Sequence, residues 1–146
     1  IKTALERKNE FSGYEKRPFY RCLNIHELAS GKIDLGKPAE IVLSNSVLHH
    51  IHDPDVFWRS ILKITKPGSI VFHRDLRRPL SMAEAIELQR KYLSEAPMVL
   101  IRDFLASLQA AFTVEEVFEQ LKLARLENLQ VLEVNDRYLD VFGIIR

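Results

Sequence analysis

Residues 41–79 read IVLSNSVLHHIHDPDVFWRSILKITKPGSIVFHRDLRRP, and this stretch predicts a strand, a helix and a second strand. The apolar run 41–43 stops at Ser44 and is typical of a buried strand, as is the run 69–72. Between them, Asp53 caps a helix that has Pro54 at its first position and extends to about Thr65. Because a helix intervenes, we expect the two strands to be parallel, with a right-handed crossover, in an α/β fold.

The sequence before this unit predicts a helix, a strand and a loop. Residues 1–11 have the loose apolar spacing of an amphipathic helix. Residues 19–23, FYRCL, are read as another buried strand, in which the thiol of Cys22 is an inert small apolar group. Residues 31–38 contain two glycines and a proline and predict a loop.

The sequence after this unit predicts three helices and a hairpin. Capping boxes of the S/T-x-x-E type open two of the helices, at Ser81 with Glu84 and at Thr113 with Glu116. A third helix between them starts at Pro97. The β-rich runs 129–134 and 138–145 predict an antiparallel hairpin.

Composition excludes several classes of protein. The 146 residues include five glycines and no G-x-G, so this span has neither a dinucleotide fingerprint nor a P-loop. A net charge of +1 disfavours nucleic acid as a partner. One cysteine cannot form an internal disulfide, and no apolar run approaches the roughly 20 residues of a membrane span. We therefore expect one domain with no membrane contact and a cytoplasmic setting.

Two polar clusters follow predicted strands and are candidate ligand-binding groups. Asn24 and Ile25 follow the first strand, and residues 44–46 (Ser-Asn-Ser) follow the second. In open α/β sheets, ligands bind beyond the carboxyl ends of the strands, where amide and hydroxyl groups can contact a small molecule. The alternative is that these residues only terminate strands, as Asn and Ser often do.

The segment His49-His50-Ile51-His52-Asp53 has three imidazoles and a carboxylate within five residues. A metal-dependent hydrolase is one interpretation. The spacing argues against it, because metallohydrolases use H-x-H-x-D-H and Asp53 is already explained as a helix cap. We predict no metal ligands, and place His49 and His50 at the rim of a cleft.

Taken in order, the segments in 41–79 and the segment RDFLASLQAAFTVEEVFEQLKLARLENLQVLEVNDRYLDVFG resemble the second part of class I S-adenosylmethionine-dependent methyltransferases. The resemblance covers about residues 20–146 and rests on the L-HH, K-PG-I and AAFT-EEV elements in order. It implies a Rossmann-like sheet with helices on both faces and a C-terminal antiparallel hairpin, with S-adenosylmethionine as cofactor. By this resemblance, Asn24 and Ile25 approach the adenine, Ser44 and Asn45 lie near the methionine or ribose, and His49 and His50 face the substrate.

The chain also departs from the family pattern. The family's first strand, its glycine-rich loop and the acidic residue after its second strand have no counterpart here. The chain is therefore either a fragment of a longer methyltransferase or a protein that has lost the cofactor loop. Of these, we expect residues 1–146 to form a single, N-terminally truncated and incomplete methyltransferase domain, with residues 81–112 as a helical cover over the strand ends. The strand at 19–23 would lack its family neighbours, so it would pair with the 41–43 strand, with another chain, or with nothing. An unpaired strand edge favours self-association.

The leading functional hypothesis is methyl transfer to a small-molecule acceptor by a longer enzyme. Such a transfer is an in-line displacement in which orientation does most of the catalysis, and a base is needed only where the acceptor must lose a proton. This agrees with the absence of a recognisable catalytic triad in the sequence. The alternatives are a non-catalytic methyltransferase-like interaction module and, third, the metal-dependent hydrolase.

Overall fold

The computed structural model describes residues 20–146; the predicted helix at 1–11 and Phe19 lie outside the described residues. Five helices, one short 3-10 turn and four strands occur in this part of the chain. In chain order they are α1 (Ile25–Ala29), β1 (Ile41–Asn45), the 3-10 turn (Leu48–His50), α2 (Pro54–Ile64), β2 (Ile70–Leu76), α3 (Met82–Leu93), α4 (Met98–Ala110), α5 (Val114–Leu123), β3 (Gln130–Glu133) and β4 (Tyr138–Ile144).

The four strands form one mixed sheet in the order β1-β2-β4-β3. β1 and β2 are parallel, with Ile41 opposite Ile70 and Asn45 opposite Arg74, which confirms the predicted parallel pair. β4 pairs antiparallel with both β2 and β3, so the predicted C-terminal hairpin is also confirmed. The parallel strands bring their carboxyl ends to the same edge of the sheet.

Helix α2 begins as the Asp53-Pro54 pair predicts. The Asp53 side chain accepts a hydrogen bond of 3.2 Å from the backbone N–H of Asp55. Pro54 has no backbone N–H, so the first helical position leaves no donor without a partner. Its buried face includes Phe57 and Trp58, and packs with Val71 and Val141 of the sheet and Val117 of α5. Helices α2 and α5 therefore cover one face of the sheet.

The two predicted capping boxes differ in detail. At α5, the Thr113 side chain accepts from the Glu116 N–H and the Glu116 carboxylate accepts from the Thr113 N–H, which completes the box. At α3, Ser81 accepts from the Glu84 N–H at 3.2 Å, but the Glu84 carboxylate accepts from the N–H of Leu80. Both helices begin where the sequence predicts.

Helices α3 and α4 form a second apolar cluster at the carboxyl end of β2. Leu88 and Leu108 pack there with Leu76 and Tyr138. Since side chains alternate along a strand, Leu76 lies on the face opposite Val71 and His73. Helices thus contact both faces of the sheet, and α3 and α4 stand over the strand ends.

The sequence predicts that both parallel strands, β1 and β2, are buried, and the structure corrects this for one of their faces. Leu43 is 74% exposed and Ile41 58% exposed, and in β2 Ile70 and Phe72 are also exposed. Alternate side chains point to opposite faces, and among residues 20–146 helices α2 and α5 pack on one face while α3 and α4 reach only the end of the other. The apolar runs therefore predicted strands β1 and β2 correctly. They predicted the burial of these strands correctly for one face only.

The predicted strand at 19–23 is wrong for its described residues. Residues 20–23 form no strand, and the thiol of Cys22 is exposed where burial was predicted. A strand needs a hydrogen-bonding neighbour, and in the described sheet β1 pairs only with β2. Of the three outcomes expected for this segment, residues 20–23 pair with no strand of the described chain.

Candidate functional site

The carboxyl ends of β1 and β2 carry the polar segment 44–50. After Asn45 the chain turns at Ser46, which has a positive φ of 54°. The Ser46 N–H donates a 2.9 Å hydrogen bond to the Arg74 carbonyl, so the turn stays attached to β2. The 3-10 turn Leu48–His50 follows at once. His49 and His50 are therefore held at the sheet edge where ligands bind in open α/β folds.

A buried carboxylate, Asp75 of β2, organises this edge. One oxygen accepts hydrogen bonds from the backbone N–H groups of Val47 at 3.0 Å and Leu48 at 2.6 Å. The other oxygen accepts from the Leu76 N–H at 2.7 Å and from Nδ1 of His49. Because a carboxylate can only accept, Nδ1 of His49 carries the proton, and Nε2 is the unprotonated nitrogen when the ring is neutral.

Sequence reasoning missed Asp75. The sequence did contain an indication of its role. Alternate residues of a strand share a face, so Asp75 lies on the same inward face of β2 as Val71, where an acidic residue is unusual. A buried carboxylate needs several donors. The partners lie 26 to 28 residues away along the chain, in the turn after β1.

Burial and hydrogen bonding act against each other on Asp75. Burial favours a raised pKa, but the hydrogen bond from His49, the charges of His49 and His73, and the Leu76 N–H together lower the pKa of Asp75 below its usual value. His73, which is fully buried, behaves differently: burial outweighs the nearby carboxylates of Asp75 and Asp140 and lowers its pKa from 6.5 to about 4. At neutral pH, Asp75 is charged and His73 is neutral.

A cavity of about 260 Å³ opens beside the 3-10 turn, slightly smaller than the roughly 300–1,000 Å³ typical of ligand sites. It brings together residues from both strand ends, helices α3 and α4 and the C-terminal hairpin. Its lining consists of Ser46, His49, His50, Leu76, Leu93, Phe104, Ser107, Arg137 and Tyr138. An adjoining cavity of about 350 Å³ shares His49, His50 and Ser107 and adds Asp103.

The four residues predicted to contact a cofactor lie on two elements. Ser44 is half-buried and Asn45 exposed at the end of β1, next to the cavity residue Ser46. Asn24 caps α1, with its side-chain oxygen accepting a 2.9 Å hydrogen bond from the His26 N–H. Ile25 packs at the edge of the main core. In the described chain Asn24 thus has a capping role, and its side-chain nitrogen makes no hydrogen bond there.

The cluster His49, His50 and His52 does not assemble with further ligands. Among residues 20–146, no three His, Cys, Asp or Glu side chains lie close enough together to hold a metal ion. His52 is exposed, and Asp53 caps α2. In the same part of the chain, no helix is long and apolar enough to cross a membrane.

The low pKa of His73 predicts a pH dependence of stability. The unfolded chain binds a proton on this histidine near pH 6.5, and the folded chain only near pH 4. Stability from the neutral, buried ring is complete above about pH 6.5 and is lost as the pH falls to 4, by about 3 kcal/mol in the free energy of unfolding. Urea unfolding of the full-length protein between pH 7 and 4.5 measures this slope.

The substitution His73→Phe should flatten that slope, because it keeps a buried ring and removes the titrating group. The exposed His52→Gln serves as the matched control and should leave the slope unchanged. Equal slopes for His73→Phe and the wild type would show that another group causes the acid sensitivity. Asp75 does not contribute to the measured slope between pH 7 and 4.5. Because its pKa is lowered in the folded chain, its contribution to the free energy of unfolding is lost only below about pH 4.

Comparisons with known proteins agree with this fold. A protein family described as "Methyltransferase domain" matches residues 3–73. A ubiquinone biosynthesis O-methyltransferase from Caulobacter vibrioides is 34% identical over 56 residues, which are 38% of this chain and 22% of that protein.

Two solved structures show the same architecture. A SAM-dependent methyltransferase from Aquifex aeolicus superposes over 100% of this chain and 63% of its own, with 14% identity and a TM-score of 0.61. The plantazolicin methyltransferase BpumL, solved with a desmethylplantazolicin analogue and SAH, covers 97% of this chain and 64% of its own, with 11% identity and a TM-score of 0.64. The chain thus spans less than two thirds of these structures. In sequence over residues 3–73 this chain is thus similar to a methyltransferase domain, and in fold it is similar to S-adenosylmethionine-dependent methyltransferases.

Proposed function

We propose that this chain is part of a longer enzyme that transfers a methyl group from S-adenosylmethionine to a small-molecule acceptor. The observation that carries the proposal is the continuity of segment 44–50. Ser44 and Asn45 lie at the carboxyl end of β1, where we expect the cofactor, and Ser46 and His49 line a cavity directly after them. A methyl donor on Asn45 and an acceptor in the cavity would be neighbours, as an in-line displacement requires.

The residues at this edge suit the proposed cofactor. Amide and hydroxyl side chains can both donate and accept, which matches ribose hydroxyls and adenine nitrogens. Asn45 is exposed and its side chain makes no hydrogen bond with the described residues, so it is available to a ligand. Among residues 20–146 the side-chain nitrogen of Asn24 makes no hydrogen bond, and Ile25 beside it would give an apolar surface for the adenine. When bound, S-adenosylmethionine supplies an activated methyl group.

His49 is the proposed proton acceptor for an acceptor that loses a proton during transfer. Its Nδ1–H is held by Asp75, so Nε2 is the nitrogen left for the cavity that His49 lines. A histidine oriented in this way by a buried carboxylate is a recurrent arrangement for proton abstraction. Asp75 acts through His49 and is a positioning residue. His50 lines the same cavity but is exposed and has no such partner among the described residues.

A small acceptor is supported by the size of the cavity and by its mixed lining. A volume of about 260 Å³ admits a small molecule, whereas a folded macromolecule would have to extend a single side chain into it. The aromatic wall from Phe104 and Tyr138 and the polar groups Ser107 and His49 suit a small ring that bears a hydroxyl group. The similarity to a ubiquinone biosynthesis O-methyltransferase agrees with this type of acceptor.

Cofactor binding is the first test. Calorimetric titration of the full-length protein with SAH should show binding, and Asn45→Ala should weaken it by roughly tenfold, as expected for the loss of one or two hydrogen bonds. The matched control is Ser94→Ala, an exposed polar residue at the end of α3, which should leave the affinity unchanged. Absence of binding by the wild-type full-length protein would overturn the proposed function.

The role of His49 is tested by the variant His49→Gln in the full-length protein. The readout is the rate at which S-adenosylmethionine is converted to SAH in the presence of each of a panel of phenols as acceptors. We expect kcat to fall by roughly 10²- to 10⁴-fold, as for loss of a general base, with SAH affinity retained. The loss should grow as the phenol becomes less acidic, which a purely structural defect would not produce. His52→Gln is the control; an equal loss for all phenols would contradict the assignment.

A second candidate, a non-catalytic interaction module, is favoured by the open edge and face of the sheet. β1 has one strand neighbour in the described sheet, and Leu43 on it is 74% exposed. Such an edge can pair with a second copy. Light scattering over a concentration series should then show dimers that Leu43→Lys abolishes. A full-length protein that is monomeric at every concentration excludes self-association through this edge.

A further inference from the structure

Arg137 occupies the turn between β3 and β4 with its backbone held on both sides. Its N–H donates to the Asn135 side-chain oxygen at 3.0 Å, and that oxygen also accepts from Tyr138 at 3.0 Å. The Arg137 carbonyl accepts from the Arg77 N–H at 2.8 Å. These hydrogen bonds fix the backbone of Arg137, and with it the position of its Cα atom, although the residue belongs to a hairpin turn.

Two aromatic rings hold the guanidinium group. Its central carbon lies 3.7 Å from the centroid of the Tyr92 ring and 4.8 Å from that of Tyr138. Tyr92 is itself anchored, because its hydroxyl donates to Asp136 at 2.8 Å. Stacking occupies the faces of a guanidinium and leaves its N–H groups free in the plane, where they can bind a two-oxygen anion.

No protein anion occupies those N–H groups in the described residues. Arg74, Arg77 and Arg78 each pair with a carboxylate, whereas Arg137 forms no ion pair and no side-chain hydrogen bond with residues 20–146. The adjacent Asp136 is engaged by Lys91 at 2.6 Å as well as by Tyr92. The stacked cation is thus ready for a ligand.

The guanidinium also lies at the right place for a substrate contact. Arg137 lines the cavity that contains His49, and it is the one permanently charged side chain among the described residues of that lining. The other titratable groups there are His49, His50 and Tyr138, and Asp103 lines the adjoining cavity. A small molecule in this cavity would contact a proton acceptor and a fixed positive charge at the same time.

We propose that Arg137 binds an anionic group, a carboxylate or a phosphate, on the methyl acceptor, so that the enzyme selects acidic acceptors. This inference rests on the proposed function, since it assigns a substrate class to the same cavity. The hydroxyl to be methylated would lie at His49 and the anionic group at Arg137. Ser107 and Phe104 of helix α4 would complete the wall between them.

The test uses three ring compounds of similar size, benzoate, phenyl phosphate and neutral benzyl alcohol, titrated into the full-length protein saturated with SAH. At least one of the two anions should bind roughly tenfold more tightly than benzyl alcohol, and the tighter one identifies the group. Arg137→Gln should abolish this preference and leave the affinity for SAH unchanged. Arg102→Gln changes an exposed arginine on α4 outside the cavity lining and should retain the preference.

The outcomes separate this inference from the proposed function. Failure of the wild-type protein to bind SAH removes the proposed function itself. If SAH binds but neither anion is preferred, or neither binds at millimolar concentration, the assignment of Arg137 is wrong and the function stands. If Arg137→Gln weakens SAH as much as the anions, the arginine contacts the cofactor, which also overturns the inference. Far-UV circular dichroism and the Tm of each variant check that its fold is intact.

Discussion

The carboxylate of Asp75 is the constraint on which the proposed site depends. A charged group out of water must be fully hydrogen-bonded, and removal of its partners would leave an uncompensated buried charge at a cost of roughly 3–5 kcal/mol. In this chain the partners are three backbone N–H groups and the His49 ring, all from segments around the strand ends. The position of the 3-10 turn and the orientation of His49 are therefore two consequences of one requirement.

Local chemistry made most of the fold predictable. The Asp53-Pro54 start of α2, the Thr113 capping box and the turn before β4 are short-range signals whose partners lie within a few residues. The parallel pairing of β1 and β2 follows from the helix between them. Burial was less predictable, because an apolar run indicates a strand without showing whether helices cover one face or both. Residues 20–23 show the same limit, since a β-prone run forms no strand without a neighbour.

The site was predictable to a lesser extent. The sequence predicts His49 and His50 at the rim of a cleft once a metal site is disfavoured, and both line the cavity. Asp75 and Arg137 were not identified as site residues, since their roles depend on contacts across 26 or more positions: from Asp75 to the turn after β1, and from Arg137 to Tyr92 of α3. Capping explains Asn24 locally without excluding a ligand. The role of a side chain that depends on tertiary contacts becomes visible only in the folded structure.

The tie between Asp75 and the turn after β1 separates the site into two parts that can change independently. The strand ends, the turn and the histidine form a unit in which each group satisfies another, so most substitutions there would disturb several contacts together. The walls of the cavity come instead from α3, α4 and the hairpin, whose side chains contribute to the lining one by one. In the proposed enzyme, exchange of wall residues would change the acceptor while the hydrogen-bonded pair of Asp75 and His49 stays in place.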